Sequence, residues 1–598
     1  MNHPPSSPSA RLRAPDDNIQ IIETDVLIIG GGVAGCLAAI GAAEAGAKCV
    51  ICEKGGIIER SGSIAGGVDH FFAVLEEGPE WDTPEYLLRH IPRITEGVTD
   101  IGVCARFLRG IKGMVARLEG MGVDFGNPAA PDRCYLRHRS FGLPGEYTIE
   151  FDGNNFKQII GQAARGTGAR TLERVMVADI LMEDGAPKGC VAFNIRHGTV
   201  YVVLARAVVL ATGETNRLGR NASGHPFDSW HIPYNTGDGQ AMALALGARL
   251  ANMEFTDATI TPKGYSTQGT NGFVGAGAYL VNASGERFMF KYHPAGEQGR
   301  RIDLINGVLI ETAEGRGPIY IDCRHLPEED VNRLKGTLGV DRPAMPTFFE
   351  QKGIDIARGL LEITVSEMSS RGGGVVFRRA GVRIDPDCLS SVPGLFAAGD
   401  CSTVSNGISG ATVMGHIAGG GAARHALSRP RPRPIGREEI ERIREELIRP
   451  MSLEEGLSPH GFEDEVREIV TGSIGFRRDE PRLKEAMRRL VGLKEREGGI
   501  RAENYHDLMR LHEAKNLRTV AETIAACALE RRETRGGGAH VRLDYPERDD
   551  EGGPRTIMVE ADRDSGALRV SSEPSGLGVE VTPAPEPVKG GRADADSD

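Results

Sequence analysis

The chain has 598 residues, of which 40% are hydrophobic, 26% charged and 5% aromatic, with 79 glycines and a formal net charge of −12. At ~100–200 residues per domain, roughly two to four structural units are expected. The acidic balance excludes the basic footprint of a nucleic-acid binder, and no run of about 18 apolar residues is present to span a membrane.

Residues 1–20 are rich in Pro, Ser, Arg and Asp and lack the apolar core of a secretory signal, so a disordered lead-in and a cytoplasmic protein are expected. Residues 23–29 form a short apolar run, the pattern of a buried parallel strand. Gly30-Gly-Gly-Val-Ala-Gly35 follows, then an Ala- and Leu-rich stretch ending at Gly46 that reads as a helix. The next strand, residues 48–52, ends in Glu53 and closes a βαβ unit. Cys49 and Cys52 have CxxC spacing, but in a strand positions three apart face opposite sides, so they read as separate buried thiols. The ten cysteines show neither a disulfide framework nor a cluster motif, and no His/Cys/Asp grouping has metal-ligand spacing; no metal site is expected.

Helices are predicted over 106–121 and 156–165, a small β segment over 175–203, and a buried strand over 207–210 that runs into Ala211-Thr-Gly213. A helix is predicted over 237–247. Residues 251–350 lose the βαβ rhythm and read as an inserted capping or substrate domain. Gly394-Leu-Phe-Ala-Ala-Gly-Asp400 returns to strand-then-turn, followed by a Gly- and Ala-rich helix over 411–427. Arg429-Pro-Arg-Pro-Arg-Pro434 is a stiff linker. Beyond it, 435–531 reads as a charged helical module, 532–573 as a C-terminal segment with β character, and 574–598 as a disordered tail. The fold expected is α/β: a Rossmann-type dinucleotide-binding domain in two parts, 21–250 and 351–428, with an α+β cap and a C-terminal helical module.

Gly30, Gly32 and Gly35 form GxGxxG between a strand and a helix, with an acidic residue closing the next strand. The first glycine permits the turn, the second admits a pyrophosphate against the backbone, and the third lets the helix pack on the strand. The start of the helix, with Val33 and Ala34, offers amides to phosphate, and Glu53, followed by Lys54, suits ribose hydroxyls. Residues 208–213, with Ala211, Thr212 and Gly213, and residues 394–400, with Gly399 and Asp400, resemble the second and third signatures of FAD-binding oxidoreductases. A second βαβ fingerprint for NAD(P) is missing.

On these motifs the chain resembles the fumarate reductase/succinate dehydrogenase flavoprotein family over about residues 23–550, and within it the adenylylsulfate reductase alpha subunits. Arg60-Ser-Gly-Ser-Ile-Ala-Gly-Gly67 is similar to the loop along the flavin, so Arg60, Ser61, Gly62, Ala65, Gly66 and Gly67 are expected at the cofactor. Asn235-Thr-Gly-Asp-Gly239 adds Asp238, Gly415-His-Ile-Ala-Gly419 is similar to the helix segment under the flavin, and Ser409 is also expected at the cofactor. Arg532-Glu-Thr-Arg535, His540, Arg542 and residues 545–549 are similar to the C-terminal signature. The resemblance implies FAD, and because Gly62 stands where succinate dehydrogenases carry a flavin-linked histidine, a non-covalent FAD. The electron partner it implies is an iron–sulfur, ferredoxin-like beta subunit.

The substrate half departs from the family. Residues 274–278 read Val-Gly-Ala-Gly-Ala where fumarate reductases have an arginine-bearing RGEGG segment, and Ser369 and Thr261 stand near positions of family histidine and arginine. The substrate expected is therefore a small polar or anionic molecule other than fumarate, succinate or adenylyl sulfate. Candidates for its chemistry are His70, just after the flavin loop, as acid or base; Arg371, near the family's histidine position, as an anion clamp; and Lys263, near the missing arginine. Each has a structural alternative, as do the Arg137-His-Arg139 triplet and the group His225, His231 and Tyr234. An oxidase similar to L-aspartate oxidase and a non-catalytic electron-transfer flavoprotein are the competing functions.

Overall fold

The computed structural model describes residues 18–126, 135–139, 143–221, 229, 231–265, 270–341, 344–370, 377, 380–403, 406–536 and 539–575. Its centre is a five-stranded parallel sheet. The strands are β1 (Val26–Ile29), β2 (Cys49–Glu53), β3 (Arg170–Glu173), β4 (Ala207–Leu210) and β5 (Leu395–Ala397), in the order β5-β4-β1-β2-β3. β1, β2 and β4 are buried at every residue, as their largely apolar, non-alternating sequences require for a sheet covered on both faces. Cys49 and Cys52 are both buried and free within β2, and burial pushes the Cys49 thiol up to about 12.

Helix α1 (Val33–Glu44) connects β1 to β2 and is buried along its first ten residues, Val33 to Ala42. Helix α3 (Gly407–Leu427), which follows β5, crosses it on small residues. A Cβ placed on Gly419 would stand 1.9 Å from the Ala38 carbonyl oxygen, so the two backbones touch directly. Between them in sequence, the short helix α2 (Asp238–Ala245) starts at Gly237. A second sheet runs Ile19–Glu23, Val200–Leu204, Ala186–Asn194, Val175–Glu183, its first pairing parallel and the others antiparallel.

The cap carries an antiparallel sheet ordered Ile260–Pro262, Leu360–Val365, Ile319–Asp322, Tyr279–Val281. One of its two inner strands, Leu360–Val365, lies beyond the boundary at residue 350 read from the sequence, because strand pairing, invisible locally, assigns it to the cap. The helical module comprises Arg437–Ile448, Pro459–Ile469, Glu480–Arg496 and α4 (Tyr505–Glu530). Its helices start at Ser458, Asp479 and Asn504, whose side chains accept the amides of Gly461, Arg482 and Asp507. A hairpin, Arg555–Ala561 and Leu568–Pro574, then returns to pair with Leu250–Ala251 in the nucleotide-binding part of the chain. Among the described residues no helix is long and apolar enough to cross a membrane.

The glycine contacts are testable. Gly419→Ala is expected to destabilise by at least about 1–3 kcal/mol, since the new methyl meets backbone. Gly492, in Glu480–Arg496, has nothing within 4 Å of its virtual Cβ. Gly492→Ala should stabilise by roughly 0.5–1 kcal/mol, with both effects read from denaturant unfolding midpoints.

Candidate functional site

A cavity of about 1040 Å³ opens outside the carboxyl ends of β1, β2 and β4, large against the roughly 300–1,000 Å³ usual for ligand pockets. Open α/β sheets bind ligands in this crevice. Gly30, Gly32, Val33 and Ala34 form one wall, and Glu53 and Lys54 continue it from the end of β2. Arg60, Ser61, Gly62 and Gly67 line it from the following loop, Ala211, Thr212 and Gly213 from the end of β4, and Asp238 from the start of α2. Gly399, Asp400 and Ser409 complete it. Three sequence-derived positions do not line it. A Cβ on Gly35 would lie 1.8 Å from the Gly30 oxygen, so this glycine serves helix–strand packing. Ala65 and Gly66 belong to the turn in which the Ala65 amide donates to the Gly62 carbonyl.

The cradle is built for a phosphate-bearing ligand. Gly30 has φ +103°, and a Cβ there would sit 2.4 Å from the Ala211 oxygen. The α1 N-terminus has no side-chain cap and no acidic residue in its first turn, leaving its amides and dipole to an anion. The buried Glu53 carboxylate accepts the amides of Gly31 at 2.7 Å and Gly55 at 2.5 Å. A carboxylate has about four acceptor sites, so capacity remains for ribose hydroxyls. Lys54 Nζ donates to Asp238 Oδ2 at 2.8 Å and Thr236 Oγ1 at 2.9 Å. Burial pulls the Lys54 ammonium down, but Asp238 and Glu513 more than offset it and hold it above its usual value. Burial likewise pushes Asp238 up, and the Lys54 charge holds it below the usual carboxylate range. Ser409 Oγ accepts the Phe72 amide at 2.9 Å, tying α3 to the strand that carries His70.

The same cavity reaches the cap, where Gly272, Gly275, Leu338 and Arg301 line it. Arg301 opens the helix Arg301–Ala313, whose Arg300/Asp303 capping box fixes its first turn. Its guanidinium pairs with the buried Asp257, while its Nε is buried without a hydrogen-bond partner among the described residues. His231 also lines the cavity, its Nδ1 bonded to the buried Glu214. His70 lies at the wall, 64% exposed, with Nδ1 2.5 Å from Asp69 Oδ1. His138 and Arg139 line the same side, His138 Nε2 standing 2.6 Å from Glu150. Arg137 instead grips Asp82 at 2.7 Å and stacks on Trp81.

Of the three residues read as chemical candidates, then, only His70 is brought to the cavity. Lys263 is exposed on the cap, 2.7 Å from Glu362 on the neighbouring strand. Arg371, like His225, lies outside the described residues. Sequence reading missed Arg301, Asp257 and Glu214. The available signal for Arg301 was a basic pair, Arg300-Arg301, opening an apolar helix with Asp303 three residues on.

A family model described as FAD binding domain matches residues 25–417, and one described as fumarate reductase flavoprotein C-term matches 463–587. The fumarate reductase flavoprotein subunit of Escherichia coli is 27% identical over 638 residues, covering 96% of this chain and 98% of that one. L-aspartate oxidase of Streptomyces coelicolor is 29% identical over 604 residues, covering 94% and 95%. The structure of adenylylsulfate reductase from Archaeoglobus fulgidus superposes with a TM-score of 0.83 at 25% identity, covering 95% of this chain and 98% of that one. With FAD as the ligand, Glu53→Ala should raise its dissociation constant roughly tenfold or more, about 1.4 kcal/mol, in a flavin-fluorescence titration. The glycine cradle, the uncapped α1 amides and the end-to-end matches lead to one conclusion: the chain belongs to the fumarate reductase/succinate dehydrogenase flavoprotein family and is an FAD-dependent oxidoreductase.

Proposed function

We propose that this protein is the flavoprotein subunit of a cytoplasmic oxidoreductase. It exchanges electrons with an iron–sulfur, ferredoxin-like partner and reduces or dehydrogenates a small polar or anionic substrate other than fumarate, succinate or adenylyl sulfate. The observation carrying this reading is that one cavity runs from the dinucleotide fingerprint to Arg301 of the cap. Cofactor and substrate would thus share a space, with a half-buried cation at the substrate end. The partner is supported by the relatives' names, several of which are subunits of fumarate reductase or succinate dehydrogenase.

FAD held non-covalently in this cavity, which Gly62 lines, would supply the electron and hydride chemistry. The protein orients the substrate and handles protons. Arg301, held by Asp257, stands on the cavity wall, where its guanidinium can meet an anionic group. His70 with Asp69, and His231 with Glu214, are imidazole–carboxylate pairs on the wall and are the acid–base candidates.

Arg301→Gln should retain FAD yet lower kcat/KM at least about 100-fold, near 2.7 kcal/mol, measured once a substrate has been found by bleaching of the flavin band. The partner is tested by electron acceptance. Turnover should require a low-potential one-electron carrier or a co-purifying cluster protein, and efficient turnover with NAD(P)H or O₂ alone would overturn the assignment. The similarity to L-aspartate oxidase supports a second reading, a single-subunit oxidase, for which O₂-dependent hydrogen peroxide formation is the signature.

A further inference from the structure

Helix α4 gives no residue to the cavity wall among the described residues, yet it grips two side chains that do. Lys54 Nζ, already on Asp238 and Thr236, also reaches Glu513 Oε1 at 2.9 Å. Asp238 Oδ1 accepts from Asn516 Nδ2 at 2.9 Å and from Thr236 Oγ1 at 2.8 Å. Glu513 and Asn516 are three residues apart on α4 and so present neighbouring side chains to one place. Behind them Glu513 Oε2 accepts from Arg217 Nη1 at 2.9 Å, and Arg217 forks onto Glu463 at 2.8 and 2.7 Å. Arg510 Nη2 adds a bond to Glu463 at 2.6 Å.

The lysine is the informative member. Its flexible four-carbon stem carries a large rotamer entropy, and an ammonium beside a cofactor cradle could swing among several acceptors. Here Asp238 draws it from the nucleotide-binding part and Glu513 from the helical module, which leaves one position. Asp238 is fixed in turn from both parts, by Thr236 and Asn516. Lys54 directly follows Glu53, so its position bears on the carboxylate assigned to the ribose.

We propose that Glu513 and Asn516 are positioning residues for the cofactor: α4 holds Lys54 and Asp238 in the arrangement that receives FAD, so FAD affinity is set from the C-terminal helical module. The proposal rests on the assignment of FAD to this cavity. Preorganised walls bind more tightly because less ordering remains to be done on binding. The effect therefore belongs in the dissociation constant.

The test uses the full chain stripped of flavin and titrated with FAD, following the quenching of flavin fluorescence, with apoprotein melting measured in parallel. Three variants are compared: Asn516→Ala, which removes one bond; Glu513→Gln, which keeps shape and removes charge; and Glu463→Gln. The last disturbs the same buried network one arginine further from the cavity and touches neither Lys54 nor Asp238. Asn516→Ala and Glu513→Gln should each raise the FAD dissociation constant at least tenfold. Glu463→Gln should lower the apoprotein melting temperature yet stay within threefold of wild type in FAD affinity. A dissociation constant within threefold of wild type in Asn516→Ala overturns the proposal, and this variant decides alone if Glu513→Gln does not fold. So does a Glu463→Gln variant that loses FAD affinity in proportion to its melting temperature, since the helix would then be acting through general stability. A wild-type protein that takes up no FAD would instead refute the cofactor assignment itself.

Discussion

The site depends on one close approach, between the end of β1 and the first turn of α1. At 1.8 Å from the Gly30 oxygen, the position of a Cβ on Gly35 admits only a hydrogen atom. That contact seats the helix directly over the strand end, and the rest of the wall is measured from it. The Gly31 amide then lies 2.7 Å from Glu53, fixing the carboxylate at the end of β2. The turn also lies against the loop after β2, where a Cβ on Gly62 would stand 2.9 Å from the Gly32 Cα. A methyl group at this joint would separate helix from sheet and displace every donor that faces the cavity.

A second regularity is electrostatic. Several groups on the wall are paired with buried carboxylates: Lys54 with Asp238 and Glu513, Arg301 with Asp257, His231 with Glu214. Burying an unpaired charge is expensive, and removing one member of a buried pair costs about 3–5 kcal/mol. At these paired positions the wall meets an anionic ligand with backbone amides and aimed guanidinium or ammonium hydrogens. Such a wall selects by direction, which suits a cofactor whose ring must be held at one angle to a substrate.

What could be read in the sequence was what is local. The fingerprint at Gly30, Gly32 and Gly35 spans six residues, and its meaning lies in turn geometry that glycine alone announces. The strand ends carrying Ala211 and Gly399 were legible for the same reason. Arg301 was not, because its partner Asp257 lies 44 residues earlier and its place in the cavity depends on how the cap folds back. Lys263 misled in the opposite sense: near the right position in the chain, it faces Glu362 across a strand pair that only the folded cap creates. Leu360–Val365 escaped the cap for the same reason, whereas the caps at Ser458, Asp479 and Asn504 are local signals that a sequence carries.

β4 pairs with β1 on one side and with β5 on the other, although β5 comes almost two hundred residues later. Leu250–Ala251 waits longer still, for Arg555–Ala561. During synthesis at about 5–20 residues per second, the first βαβ unit would emerge many seconds before the strands that flank it. Contacts of such sequence separation are slow to form because loop closure precedes any gain from packing. Loading of the flavin is thus a late event in the life of the nascent chain, and until then a row of unsatisfied parallel strand edges needs shelter from its neighbours.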